Sequence, residues 1–398
     1  MTRTTRVSIV GSGFLAKGLV FAFESCPDLL VSKVLTRGLV EARSDFPGKE
    51  LLTNSVAELL DGADVVVECS GDAIHATDVV AEALDAGLPV VTMNCEFQVT
   101  TGSYFTSKGI LTEAEGDQPG VLAALRKDAL QMGFEPLVYG NIKGFLDHTP
   151  TRESMQYWAE KQGISLQQVT SFTDGTKLQI EQAMVANAFD ADIAQPGLIG
   201  EECDDLRAAG ERLAETAKFR GCPLSDYVLS RKLPPGVFIV AEHDEAQQPY
   251  LKYLKLGDGP FYTLLHNFHL CHLEVAKTVR MVVNGEGVLL DNSANPRISV
   301  AAVAKRSLQP GETIAHGIGS FDVRGIAVAI ADDRDHVPIG LLSNAVVKRR
   351  VEPEQQLTFD DVEIPESLAA KCWDEIREKS LGQGREEPLD AGVSLERR

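Results

Sequence analysis

The chain is 398 residues long, 44% hydrophobic and 24% charged, a globular mixture too long for one ordinary core, so two or three domains are expected. Its formal net charge of −20 repels phosphate backbones and argues against a nucleic-acid partner, although a local pocket can still take a small phosphorylated ligand. No apolar run reaches the roughly 18 residues that span a bilayer, and Met1 to Arg6 leads straight into a strand-like run without a signal-peptide apolar region, which predicts a cytoplasmic protein with no membrane partner.

Val7 to Val10 reads as a short strand ending in Gly11, followed by an amphipathic helix from Phe14 to Phe23 and a strand from Leu30 to Leu35. Asn54 and Ser55 offer capping side chains before Val56 to Leu60. Ala63 to Cys69 is near-continuously apolar, as in a strand buried on both faces of a parallel sheet. A helix from Ala73 to Ala86 stops at Gly87, and Leu88 to Met93 is the next strand. This alternation predicts βαβ units and a doubly wound sheet.

From about Asn141 the rhythm changes. Thr149-Pro150 reads as an N-cap with Pro at the first helical position of a helix to Gln162. Val169 to Phe172 reads as a strand, Asp174-Gly175 as a turn and Thr176 to Ala188 as a helix. Strands follow at Gly236 to Ala241 and Phe261 to Leu265, then an apolar helix from His269 to Val283. Residues from Ile298 to about Ile364 are rich in Val and turn formers, and the charged tail from about Ser380 is expected to be mobile. The fold class expected is α/β: a Rossmann domain over 1–140, completed by a helix at about 269–285, an α+β substrate and oligomerisation domain over 141–268, a β-rich domain over 295–365, and a tail over 366–398.

Directly after the first strand stands Gly11-Ser12-Gly13-Phe14-Leu15-Ala16, a G-x-G-x-x-A run. Gly11 permits the tight turn, Gly13 lets backbone approach a pyrophosphate, and Phe14 and Leu15 open the helix whose free N–H groups face the phosphates. A strand before it and a helix after it are the context this motif requires. At the end of the second strand an NAD enzyme places an acidic residue, whereas Thr36 and Arg37 stand here. A hydroxyl and a guanidinium suit a 2′-phosphate, so NADP(H) is preferred over NAD(H). Alternatively Arg37 is solvated and Glu41 holds the ribose. Ser70, Gly71 and Asn94 follow later strands and are expected to border the nicotinamide. The seven cysteines include no C-x-x-C pair, which fits a reducing compartment, and Cys69 and Cys95 read as buried small residues.

The run Val65-Val66-Val67-Glu68-Cys69-Ser70-Gly71 resembles homoserine dehydrogenase. Over about 350 residues the chain resembles homoserine-dehydrogenase-like proteins with a C-terminal SAF domain, the group that includes reductoisomerase-like enzymes of the 1-deoxyxylulose 5-phosphate type. The resemblance rests on Asp174-Gly175-Thr176-Lys177 with Glu181 and Asn187, on Pro235 to Phe238, and on Gly257 to Pro260 followed by His269-Leu270 and Leu273-Glu274-Val275. It rests also on Ala304-Lys305-Arg306 with Leu308, Pro310-Gly311-Glu312 and Ile314. It implies nicotinamide-linked redox chemistry, a substrate domain that also builds a homodimer or homotetramer, and an SAF-like appendage over 295–365. His266 and Asn141 stand where members active on the sugar phosphate carry Arg and Lys, which weakens the case for a phosphorylated substrate.

Reduction of a carbonyl needs a donor that neutralises the developing alkoxide. Lys143, between the two domains, is the first candidate, since a partly desolvated lysine suits acid/base work. Lys177 is the second. It shares a helix face with Glu181 at i, i+4, and the alternative is a surface ion pair. Both lysines match family positions. His266 to Glu274 has the look of a zinc run, but its spacing is not H-E-x-x-H. No metal is therefore expected there, and His269 and Glu274 are read as substrate-contacting groups, against a simple helix-terminal carboxylate for Glu274. Asp117 either touches substrate or caps a helix, while Asn141, Asn187 and His266 complete the expected substrate contacts, and Lys305-Arg306 is a further basic candidate.

The expected function is an NAD(P)-dependent oxidoreductase that interconverts a carbonyl and a hydroxyl on a small sugar-, sugar-phosphate- or homoserine-like substrate. A metal-dependent reductoisomerase is one alternative and would take a divalent cation on Asp117, Glu181 and Glu274. A non-catalytic NADP(H) sensor is the other, and it predicts tight cofactor binding with no loss of function on removing Lys143 and Lys177.

Overall fold

The expected alternation of strands and helices takes shape in the computed structural model, which describes residues 4–382. β1 (Thr5–Val10), β2 (Leu29–Leu35), β3 (Leu52–Thr53), β4 (Val65–Glu68), β5 (Val90–Thr92) and β6 (Leu111–Glu113) form one parallel sheet in the order β3-β2-β1-β4-β5-β6. The order reverses between β1 and β4, and in such sheets ligands bind at that switch point, beyond the carboxyl ends of the strands. Strands buried on both faces need helices on both. Val7, Ile9, Val65 and Val67 face α1 (Phe14–Glu24) and a late helix at Val275–Val283. Val10 and Val66 face α2 (Val56–Leu60) and α3 (Ala73–Asp85). After β5 the short helices α4 (Cys95–Phe97) and α5 (Ser103–Phe105) flank a π-helical turn at Gln98–Gly102.

α6 (Gln118–Gln131) leads into β7 (Glu135–Lys143), which runs across the boundary expected at residue 140. β7, β8 (Glu201–Glu202), β9 (Leu224–Leu229), β10 (Gly236–Glu242) and β11 (Tyr262–His266) make a mixed sheet in the order β11-β10-β7-β9-β8. Between these strands run α7 (Arg152–Gln162), α8 (Leu166–Thr173), α9 (Thr176–Ala188), α10 (Leu206–Arg220) and α11 (Gln248–Tyr253), and α12 (Val275–Val283) follows. α10 covers one face of the sheet through Ala209 and Leu213, while Val121 and Leu122 of α6 with Val185 of α9 cover the other. β12 (Ile298–Ala304) pairs antiparallel with β14 (Val323–Ala329). β13 (Thr313–His316), β15 (Ser343–Val347) and β16 (Val362–Glu363) form a second antiparallel group. Both groups pack on Ile180, Ala183 and Met184 of α9, which is buried all round.

Several local expectations are corrected. The stretch expected as a strand at Val169 to Phe172 is α8. Ser165 and Gln168 close a reciprocal capping box at its start, and this start signal outweighs the β-branched residues within. The N-cap of α7 is Thr151, not Thr149, because Thr151 Oγ1 accepts from Ser154 N at 3.2 Å. Residues 269–274 are not helical throughout: Cys271 has φ +43°, a 3₁₀ turn spans Cys271–Leu273, and the helix starts at Val275. The tail expected from residue 366 instead carries α13 (Leu368–Gly382), which buries Ala369, Cys372, Trp373 and Ile376. Residues 383–398 of that expectation lie outside the described residues.

Candidate active site

The glycine-rich turn packs as its motif requires. Gly11 has φ +107°, and a Cβ there would stand 3.0 Å from the Cys69 carbonyl oxygen, so the turn presses on the β4 strand end. Gly13 is the N-cap of α1, no side chain accepts from the first-turn amides, and the space beside its Cα is open. A glycine cradle at a helix start, with uncapped amides, fits the pyrophosphate of a nicotinamide dinucleotide. Phe14 is exposed and Leu15 half-buried at the helix start, while Ser70 and Gly71 line the β4 end. Asn94 is buried and spends its side-chain oxygen on capping α4, accepting from Phe97 N at 3.0 Å.

Beside this cradle a cleft of about 310 Å³ is lined by Thr36, Arg37, Asn54 and His75 among others. Thr36 is not a free phosphate ligand, because its hydroxyl lies 2.8 Å from Ser12 Oγ inside the turn. Arg37 is exposed and its Nη1 stands 2.6 Å from Asp72 Oδ2. Asp72 also caps α3, accepting from Ile74 N and His75 N. Burial, then the Arg37 charge, holds the His75 imidazole below its ordinary range.

At the carboxyl ends of β5 and β6 the polar side chains converge. The Nζ of Lys177 lies 2.7 Å from Cys95 Sγ, 3.2 Å from Glu96 Oε2 and 3.4 Å from Asp117 Oδ2. The other oxygen of Asp117 caps α6 through Gln118 N at 3.0 Å, so the helix-cap reading holds while the first oxygen stays with Lys177. One turn along α9, Glu181 Oε2 accepts from Asn141 Nδ2 at 3.0 Å and pairs with Lys143 Nζ at 3.4 Å. Gln118 Oε1 accepts from Lys143 at 3.2 Å and also from Asn141. The alternative of a surface ion pair between Lys177 and Glu181 is therefore not what forms. Both residues are buried, and each takes its partner from another element.

Burial works against the Lys177 charge, yet Asp117 and Glu96 outweigh it and hold the ammonium well above the ordinary lysine range. Lys177 is thus held as a cation by its carboxylate neighbours. Burial acts on the Asp117 carboxyl too, but Lys177 prevails and keeps it below its ordinary range. Burial pushes the Glu181 carboxyl up against the pull of Lys143 and Lys177, and it pushes the Cys95 thiol well up. Glu113 is fully buried, neither of its oxygens has a hydrogen-bond partner among the described residues, and burial pushes its carboxyl well above the ordinary range. Burial and the nearby lysines keep the His269 imidazole below its usual range, despite the Asp117 charge beside it.

Other expected contacts lie elsewhere. Asn187 is a cross-link, not a substrate ligand: its oxygen accepts from Arg297 N and Ile298 N, and its Nδ2 donates to Ile298 O at 2.8 Å. His266 ends the edge strand β11 with its ring 4.2 Å from that of Phe268. Glu274 accepts from Leu270 N at 2.7 Å and pairs with Lys277, so it shapes the His269 loop rather than reaching into the cluster. Lys305 pairs with buried Asp174 at 2.6 Å, and Arg306 pairs with Asp322 and Glu312. Cys95, Glu96, Glu113 and Gln118 were missed. Asn94 marks the strand end that Cys95 and Glu96 follow, but nothing local signals a lysine arriving from 82 residues away. Among the described residues, Cys95, Glu113 and Asp117 bring potential metal-ligand atoms within 4.8 Å of one another.

Comparison with known proteins adds two domain matches. Residues 11–104 match the family model for the homoserine dehydrogenase NAD binding domain, and residues 116–275 match that for the oxidoreductase DRL catalytic domain. No curated protein sequence matches. Among solved structures, UDP-N-acetylglucosamine 3-dehydrogenase GnnA from Acidithiobacillus ferrooxidans is 11% identical with a TM-score of 0.44, over 73% of this chain and 92% of that one. A myo-inositol dehydrogenase from Corynebacterium glutamicum is 12% identical with a TM-score of 0.41, over 71% and 90%. No described helix is long and apolar enough to cross a membrane.

Proposed function

Taking as premise that the chain is a nicotinamide-dependent oxidoreductase, we propose that it interconverts a carbonyl and a hydroxyl on a small, polar, sugar-like substrate, with Lys177 holding the reacting oxygen. The observation that carries this reading is the buried Lys177 ammonium, hydrogen-bonded to Glu96 and Asp117 at the carboxyl edge of the nucleotide sheet. A cation fixed in a water-poor site is worth most where negative charge develops. The nicotinamide, when bound, supplies or accepts the hydride. Lys177 then neutralises the oxygen as it gains charge and hands it a proton, since an alkoxide is more basic than any ammonium. Glu181, held toward its neutral form beside Lys143 and Asn141, is the adjacent proton source. His269 and Gln118 border the same space and orient substrate hydroxyls.

Replacing Lys177 with Met tests this. Turnover should fall by about 10²–10⁴-fold, while fluorescence titration should show NADPH binding unchanged. Turnover near the wild-type rate would sink the assignment. Preference for NADP(H) belongs to the same reading and is supported by Arg37 on the cleft. So do a homodimeric or homotetrameric assembly and an SAF-like role for 295–365. A second reading, the metal-dependent reductoisomerase, is favoured by the grouping of Cys95, Glu113 and Asp117. It requires that a chelator abolish turnover and that a divalent cation restore it.

A further inference from the structure

On the side of α9 away from Lys177, a cavity of about 240 Å³ opens between four parts of the chain. His148 comes from the loop after β7, Gly175 from the start of α9, Tyr227 from β9 and Arg324 from β14. None of the residues that converge around Lys177 lines it. The two sides of the helix are distinct: Lys177 and Glu181 face the cluster, whereas Thr176 and Gln179 accept from Gly325 N and Ala327 N at 2.9 and 2.8 Å.

The lining mixes polar and apolar groups, and its charge balance leaves one cation underserved. Asp174 is neutralised by Lys305 at 2.6 Å. The Arg324 side chain is only 12% exposed, and one guanidinium nitrogen pairs at 2.5 Å with Glu354, a largely exposed carboxylate. Its Nε is buried and has no hydrogen-bond partner among the described residues. A guanidinium is a fork of donors shaped for carboxylate or phosphate, and a buried donor left unpaired is costly. His148, exposed at the mouth, likewise makes no hydrogen bond among the described residues. The volume lies below the roughly 300–1,000 Å³ of pockets that take drug-sized ligands, so a compact occupant fits and a nucleotide does not.

We propose that this cavity binds a compact oxyanion, a phosphate or carboxylate group, gripped by the Arg324 guanidinium with the His148 imidazole across the mouth. The site is separate from the hydride chemistry. Because its walls are β14, β9 and the first turn of α9, occupancy ties the β-rich segment to the helix that carries Lys177, and bound anion should raise thermal stability.

The test is calorimetric titration and thermal melting with inorganic phosphate and, separately, malonate, in saturating NADPH so that Arg37 is already engaged. Wild type should bind at least one anion and melt at a higher temperature in its presence. Arg324→Gln should weaken that binding by about tenfold or more, His148→Ala should weaken it less, and Lys177→Met should leave it intact. Binding of phosphate alone points to a phosphorylated ligand, and binding of malonate alone points to a carboxylic acid. The proposal is overturned if wild type binds neither, if Arg324→Gln binds as tightly as wild type, or if Lys177→Met abolishes binding, which would put the anion in the catalytic cluster. Should Arg324→Gln fail to fold, unchanged affinity in His148→Ala overturns it equally.

Discussion

At the scale of single residues, the contrast between Arg37 and Lys305 shows how position decides what a charge does. Arg37 is exposed and shares its cleft with His75, so removing it costs little stability. Arg37→Ala should lower NADPH affinity towards that for NADH, read by fluorescence titration of both cofactors, and equal loss for the two would refute a 2′-phosphate contact. Lys305 is the opposite case. Its side chain is 3% exposed and that of Asp174 is fully buried. Lys305→Met strands a buried carboxylate and should cost about 3–5 kcal/mol in denaturant unfolding. The residues of the G-x-G-x-x-A run were legible because their roles are set by their immediate neighbours. Cys95 and Asn187 were not, because each acquires its role from partners far along the chain.

At the scale of elements, strands with uniform apolar runs were readable, and so was α9, since both follow from local pattern. The misread α8 shows a capping box prevailing over strand-like composition. The late helix α13 was invisible because its charged surface hides the burial of Trp373. Its docking has a pH signature. The His336 imidazole lies 5.4 Å from the Trp373 ring and is bonded to Asp333 O and Ser299 Oγ. Burial depresses its pKa below the ordinary 6.5. The unfolded chain therefore takes up this proton first as pH falls. The contribution is full above 6.5 and is lost progressively on acidification from there down to the folded-state value. Melting temperature followed from pH 8 downward should drop below about 6.5, with a shallower slope in His336→Gln. Identical slopes would remove His336 as the cause.

At the scale of the whole molecule, the segments are interleaved rather than strung in sequence, which a linear reading of boundaries could not capture. α12 fills the nucleotide sheet face beside α1, and α13 packs with Cys372 against the α3 side. Removing the chain from residue 366 onward should lower the melting temperature of the nucleotide-binding half, followed through loss of NADPH protection against heat. An unchanged melt would show α13 to be dispensable. Order of synthesis gives the same geometry another meaning. β1 leaves the ribosome well before the helices at residues 275–283 and 368–382 that complete the cover of its sheet. The N-terminal sheet must therefore wait, with its apolar faces only partly covered, while some 260 further residues emerge at about 5–20 per second. That interval is when a nascent chain of this design most needs a chaperone.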